Sequence, residues 1–454
     1  MLLPLLAWAT SGFAQVRWWL TDLDKSVLFQ EQKASLPLGA ADLNPTIDVD
    51  DAASFQTIDG FGCCLTGGSA AHLIQMDHAH RAALLEELFG TDGAHIGISY
   101  LRVSIGSSDL DAHTFSYDDL PAGQTDAKMM KFSLAPDRAA VIPILKEILA
   151  LNPEIKILGS PWSAPPWMKD NNDTRGGSLQ PRFYDAYAKY FVQYVEGMKV
   201  EGIRIDAITV QNEPLNANNN PSMFMPAREE ANFIKGHLGP AFRSAGIDTK
   251  IILYDHNCDH PDYPISILND PAAKKYVDGS AFHLYAGQID ALSEVHRAHP
   301  DKALYFTEQW MGGHSDAKKD LDQHIRDLII GATRNWSRNV LEWNLAADSN
   351  FQPHTDRGGC DRCQGAVTID GDKVARNAAY YVLAHAAKFV RPGSVRIGSN
   401  DLPSLPNVAF KAPDGHMILV VLNNGSSPTT FNIRYNGQQV ESALNGGAVA
   451  TYIW

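Results

Sequence analysis

Five cysteines in 454 residues are too few for a disulfide framework, so a hydrophobic core must hold the fold. No second C-x-x-C accompanies Cys360-Asp361-Arg362-Cys363, and a structural zinc would need two more ligands. That pair reads as a local disulfide in an oxidising compartment or as two free thiols, and Cys63, Cys64 and Cys258 as small buried residues. Positive charge is also short: 38 Lys and Arg face 52 Asp and Glu, for a net charge of −14. With no basic patch to offset it, a nucleic-acid partner is excluded, and a neutral substrate fits better than an anionic one. No stretch beyond the N-terminus is long and apolar enough to span a membrane. Internal repeats and low-complexity linkers are missing too.

A hydrophobic content of 44% and a charged content of 20% are those of an ordinary globular protein, long enough for a large domain and a smaller one. Residues 1–14 join an apolar stretch to the small residues Gly12 and Ala14, as in a signal peptide cut after Ala14. The positive segment that normally opens such a leader is absent, so the start reads as truncated; the other reading is a buried N-terminal segment. The expected location is secreted or periplasmic.

Eight strand-like runs lie at 57–62, 98–105, 156–162, 207–211, 250–254, 280–285, 303–307 and 339–343. Helical patterns such as 79–89, 183–200, 227–245 and 320–335 separate most of them. The repeated alternation predicts an α/β fold, a (β/α)8 TIM barrel. After residue 390, short strands divided by Pro413-Asp414-Gly415 and Asn423-Asn424-Gly425 predict an all-β sandwich, to which 26–29 and 46–49 can add strands. The expected domains are therefore a leader at 1–14, an N-terminal segment at 15–50, a catalytic barrel at 51–389 and a sandwich at 390–454.

Two of the runs end in glutamates, at Asn212-Glu213-Pro214 and at Thr307-Glu308-Gln309-Trp310. Two carboxylates at strand ends around one barrel mouth are the equipment of a glycosidase. Proline stops the strand beside Glu213, and Asn212 can donate to a sugar hydroxyl. Glu308 can form a structural ion pair with Arg102, or Arg102 can orient it and hold its pKa low. Ser160-Pro161-Trp162 and Glu342-Trp343-Asn344 can supply aromatic walls for a sugar face; Trp167 reads equally as wall or as loop packing. The polar run Asp255 to His260 is not a metal site on this reading, because strand one lacks a His-x-His.

Taken in order, these residues resemble glycoside hydrolase family 30, the family of lysosomal glucosylceramidase and its bacterial relatives. The resemblance rests on Asp59-Gly60-Phe61-Gly62, Leu101-Arg102-Val103, Ser107-Ser108-Asp109, Ser160-Pro161-Trp162, Asn212-Glu213-Pro214, His283-Leu284-Tyr285, Glu308 and Trp343-Asn344-Leu345. It implies a barrel beside a β-domain, with Glu213 as acid/base and Glu308 as nucleophile. It further implies that Asp109, Trp162, Asn212 and Trp343 hold the sugar and that Tyr285 stands beside the nucleophile. Arg102, His283 and Asn344 would support them, with Phe224 and His354 on the aglycone side. The loops at 215–224 and 347–365 depart from the lysosomal enzyme and look more like bacterial members, some of which are endo-β-1,6-glucanases.

The expected activity is that of a retaining β-glycoside hydrolase acting on a β-linked glucoside, oligosaccharide or glycolipid. A β-glucosidase or glucosylceramidase comes first, an endo-β-1,6-glucanase second and a silent glycan-binding protein last. No cofactor or metal is implied. The carboxyl groups should lie about 5–5.5 Å apart. Glu213 should hold a proton at rest, its pKa raised by the charge of Glu308.

Overall fold

The computed structural model describes residues 16–33, 36–38 and 43–454, so the leader expected at 1–14 lies outside it. Contacts divide the chain into two compact units: Gln56–Gly393, and the described residues up to Phe55 together with Ser394–Trp454.

The larger unit is a closed barrel of eight parallel strands. They are β1 (Gly60–Leu65), β2 (Tyr100–Ser104), β3 (Lys156–Ser160), β4 (Ala207–Thr209), β5 (Lys250–Cys258), β6 (Val277–Gly287), β7 (Ala303–Glu308) and β8 (Ser337–Asn344). Each pairs with the next, and β8 returns to β1. Strands β1 and β2 are buried at every residue, as a sheet covered on both faces requires. The helix Tyr184–Val200, which follows β3, shows how such a face is covered: Tyr187, Tyr190, Phe191, Tyr194 and Met198 fall at helical spacing on one buried stripe, with Tyr194 against Gly159 of β3. Tyr117 stacks on Tyr190 and Tyr194 at 5.8 Å.

Strand one differs from the expectation. It begins after Asp59 and runs on through Cys63, Cys64 and Leu65, so Asp59 stands at the N-terminal end of the barrel, away from the mouth. Arg338 and Lys156 hold its carboxylate there, at 2.9 and 2.7 Å.

Alternation along the strands places the site. Tyr100, Leu158, Ala207, Ile252, Ala281, Tyr305 and Leu341 form an apolar cluster inside the barrel. Two residues further along their strands stand Arg102, Ser160, Thr209, His283, Thr307 and Trp343, while on β5 a register shift brings Asp255 to that level in place of Tyr254. Because the side-chain period is two, that step stays on the same face, and the interior changes from apolar plug to polar network within one layer.

The other unit is a nine-stranded sheet. Val27–Gln32 and Arg17–Asp22 lie at one end of the strand order, and Thr46–Thr57 pairs in parallel with Thr429–Tyr435. Ile47, Val49, Leu419, Val421, Phe431, Ile433 and Tyr452 make its core. Among the described residues no helix is long and apolar enough to cross a membrane.

Leu341 is fully buried in the apolar plug. Leu341→Ala is expected to lower stability by about 2–5 kcal/mol, read from the shift in the urea unfolding midpoint.

Candidate active site

Three strand ends build the site. Glu308 is the last residue of β7. Glu213 follows β4 by four residues and takes a left-handed φ of 45°, where Pro214 turns the chain away. Its amide donates to the carbonyl of Asp255 at 3.0 Å. Tyr254 and Asp255, on β5, also have positive φ, at 71° and 57°, beside a register shift against β6. Such backbone is costly for residues other than glycine and persists only where surrounding contacts hold it.

Those contacts centre on Asp255. One carboxylate oxygen accepts from Arg102, Ser160 and Thr209, each at 2.7 Å. The other accepts from Thr307 at 2.6 Å and faces His283 Nε2 at 3.2 Å. Arg102 extends the network by donating to Glu308 at 2.5 Å and to Asn212 Oδ1 at 2.7 Å. Tyr285 donates its hydroxyl to the second oxygen of Glu308 at 2.9 Å. Glu213 is held by His283 Nδ1 at 3.2 Å and by the Asn216 amide at 2.7 Å. Arg102, Asp255 and His283 are fully buried.

A carboxylate oxygen of Glu213, one of Glu308 and a ring nitrogen of His283 all lie within 4.8 Å of one another. That closeness is nearer to the separation of about 5–5.5 Å used for retention than to that of about 6.5–9.5 Å used for inversion. The same three groups could hold a cation, although Arg102 already brings positive charge to the spot.

The charges correct one expectation. Burial alone would raise the Glu213 carboxyl, but the hydrogen bond and charge of His283, the charge of His256 and the Asn216 amide outweigh it and hold it near 2. His283 is pushed the other way: burial opposes its charge, and Glu308, Asp255 and Glu213 overcome that and lift it to about 9. As the side chains stand, the proton expected on Glu213 therefore sits on His283. Shifting it across the 3.2 Å contact makes both groups neutral without changing the total charge. Arg102 does not hold Glu308 low either; burial raises that carboxyl despite the charges of His283 and Arg102. Asp255 is the group held well below the ordinary carboxylate range, because Arg102 and His283 outweigh its burial.

A pocket of about 450 Å³ opens over the two glutamates. Of the residues expected there, Asp109, Trp162, Tyr285 and Trp343 line it. Trp162 and Trp343 stand 5.3 Å apart, and the Arg102 guanidinium lies 4.7 Å over the Trp162 ring. Asn212 lies behind the lining with its carbonyl taken by Arg102. Asn344 is further back, accepting from Ser69 and Thr66. Phe224 and His354 do not line the pocket: Phe224 is 39% exposed, and His354 turns to the Thr355 carbonyl. Trp167 packs edge-on against Phe183 and donates to the Asp118 carbonyl, so it is loop packing.

Sequence reasoning missed Asp255, which it read as part of a polar loop although it follows the apolar run 250–254 as Glu308 follows 303–307. It also missed Asn216, Asn218, Asn219, His256 and Asn257, all in the lining. Trp310, two residues past Glu308, lines it as well. Cys360 and Cys363 form a disulfide and face the same pocket.

Two family models cover nearly the whole chain: the glycosyl hydrolase family 30 TIM-barrel domain at residues 58–390 and the family 30 beta sandwich domain at 393–452. An endo-1,6-beta-D-glucanase of Neurospora crassa is 37% identical over 88% of this chain and 85% of its own length. Mouse lysosomal acid glucosylceramidase is 28% identical over 93% of this chain and 87% of its own. The solved structure of the endo-beta1,6-glucanase BT3312 superposes with a TM-score of 0.89 at 33% identity, covering 97% of this chain and 99% of that one. The chain belongs to glycosyl hydrolase family 30 and is a glycoside hydrolase.

Asp255→Asn removes one of the two buried carboxylates paired with Arg102 and the one facing His283 Nε2, and a loss of about 3–5 kcal/mol at pH 7 is expected. Because the folded pKa of Asp255 is depressed, its share of stability is complete above the unfolded value near about 4 and is lost as the pH falls below it. Urea unfolding of wild type and variant should show the gap between them narrowing below about pH 4.

Proposed function

We propose that this family 30 glycosidase cleaves internal β-1,6 bonds of a glucan by double displacement, with Glu308 as nucleophile and Glu213 as acid/base. The observation that carries the linkage is the polar wall beside Glu213, where Asn216, Asn218, Asn219, His256 and Asn257 line the pocket. Three part-buried amides, an exposed one and a buried imidazole make up that wall, and a second glucose offers them hydroxyl partners that a ceramide chain does not. His256 adds to this: it is nine-tenths buried, and its Nδ1 has no partner among the described residues. The activities named for the Neurospora relative and for the BT3312 structure support the same reading. Of the two substrates weighed from the sequence, the β-1,6-glucan is the better supported, ahead of the glucosylceramidase or β-glucosidase reading placed first there.

The reaction follows from the geometry. The sugar lies against the wall that Trp162 and Trp343 form together, with Asp109 accepting from its hydroxyls. Glu308, aligned by Arg102 and Tyr285, attacks the anomeric carbon, and a glycosyl ester forms as the C–O bond to the leaving glucose breaks. Glu213 gives its proton to that leaving oxygen. The proton held by His283 is one short transfer from Glu213, so the substrate completes the acid on binding. Once Glu308 is esterified its negative charge is gone, and Glu213 then takes a proton from the water that cleaves the ester. The expected location stays secreted or periplasmic, a reading that a disulfide supports.

Incubation with a linear β-1,6-glucan should release a ladder of oligosaccharides from the outset, with retained configuration by proton NMR. Glucose alone, or faster cleavage of glucosylceramide, would count against the endo reading. Glu213→Gln should slow hydrolysis of the glucan by about 10²–10⁴-fold yet largely spare the first step on an aryl glucoside whose phenolate leaves without a proton, so that a burst of phenolate precedes slow turnover. Glu308→Gln should abolish both activities, and equal activity of that variant and wild type would overturn the mechanism.

A further inference from the structure

The disulfide in the loop after β8 is unexplained by the reaction itself. It closes a turn of four residues, Cys360 to Cys363, and both cysteines line the pocket. Cys363 is buried in a cluster with Leu110, Trp162 and Trp343, and Trp310 packs at its edge. The Cys360 amide donates to the Asp109 carboxylate at 3.2 Å. At the other end of the turn, Cys363-Gln364 pairs antiparallel with Met311-Gly312, the residues that directly follow Trp310. Gly313 donates to the Arg362 carbonyl at 2.6 Å, and the Arg362 guanidinium lies over the Trp310 ring. One covalent turn thus touches Asp109 with its first residue and the strand behind Trp310 with its last.

We propose that the Cys360–Cys363 disulfide is a positioning element of the sugar pocket, holding the Cys360 amide on Asp109 and Trp310 in its place in the wall. Breaking it weakens substrate binding and leaves Glu213 and Glu308 where they are, because among the described residues no hydrogen bond or ion pair joins the turn to Arg102, Asp255 or His283. The ring it closes is short, so its effect on the entropy of the unfolded chain is at the low end for disulfides. Its effect is local: burial drives the Asp109 carboxyl up to about 7, with Glu308 adding to that and the Cys360 hydrogen bond working against it. Losing that bond leaves Asp109 a poorer acceptor for a sugar hydroxyl.

The inference rests on the glycosidase reading, and one experiment separates the two. The full-length protein is assayed on a soluble β-1,6-linked gluco-oligosaccharide before and after treatment with dithiothreitol. The reductant passes two electrons and two protons to the disulfide, giving two cysteine thiols, and itself closes to a cyclic disulfide. Native thiol titration should gain two thiols, since Cys63, Cys64 and Cys258 are already free and buried. KM should rise about tenfold, the size of one lost hydrogen bond to a charged group, with kcat little changed and recovery on reoxidation. Cys360→Ser with Cys363→Ser should reproduce the reduced enzyme, and reduction of Asp109→Asn should add little to that variant's own KM. A KM indifferent to reduction while two thiols appear would overturn the proposal and leave the glycosidase standing, as would an equal further rise in Asp109→Asn. If the oxidised protein hydrolyses no β-glucoside, the glycosidase reading fails and this inference falls with it.

Discussion

Two carboxylates within 4.8 Å in a buried barrel mouth repel each other strongly, and the structure depends on how that repulsion is met. Arg102 and His283 bring positive charge, and Asp255 holds both in place from below. None of these three groups touches water. Buried charges of this kind are tolerable only when they are paired and hydrogen-bonded, and five side chains bind the two oxygens of Asp255. Removing any one of them would disturb both glutamates at once, through Arg102 on one side and His283 on the other.

The barrel makes such a network possible. Parallel strands deliver Arg102, Ser160, Thr209, His283 and Thr307 to one level above a plug of Tyr, Leu, Ile and Ala. The plug excludes water from beneath, and the loops supply what the strands cannot. Asn216 reaches Glu213 from the turn after β4, and the turn after β8 reaches Asp109. Chemistry is thus set by strands, and the partner of the leaving group is set by loops.

Much of this was legible in the chain. Apolar runs ending in glutamate placed Glu213 and Glu308 at strand ends, and both face one pocket with Trp162, Tyr285 and Trp343. Where reading failed, the cause was local. Strand one was placed too early because the run 57–62 closes on Gly60-Phe61-Gly62, whereas Cys63 and Cys64 continue it. Asp255 was passed over because it sits in a polar run, with nothing in that run to mark the buried arginine awaiting it. Trp167 had the same local signal as Trp162, and only packing separates the wall residue from the loop residue.

Period-two alternation, eight strand–helix units and the strand-end glutamates are properties of short segments, so the sequence by itself determined the barrel, the second β unit and the class of reaction. The resting place of the proton was decided by tertiary structure alone. It depends on Asp255, His283, His256 and Asn216, which come from two strands and a turn, and on the degree to which each is buried. Electrostatic energies in a dry interior depend on separations of a few ångströms between residues far apart in the chain, and no local pattern encodes those separations.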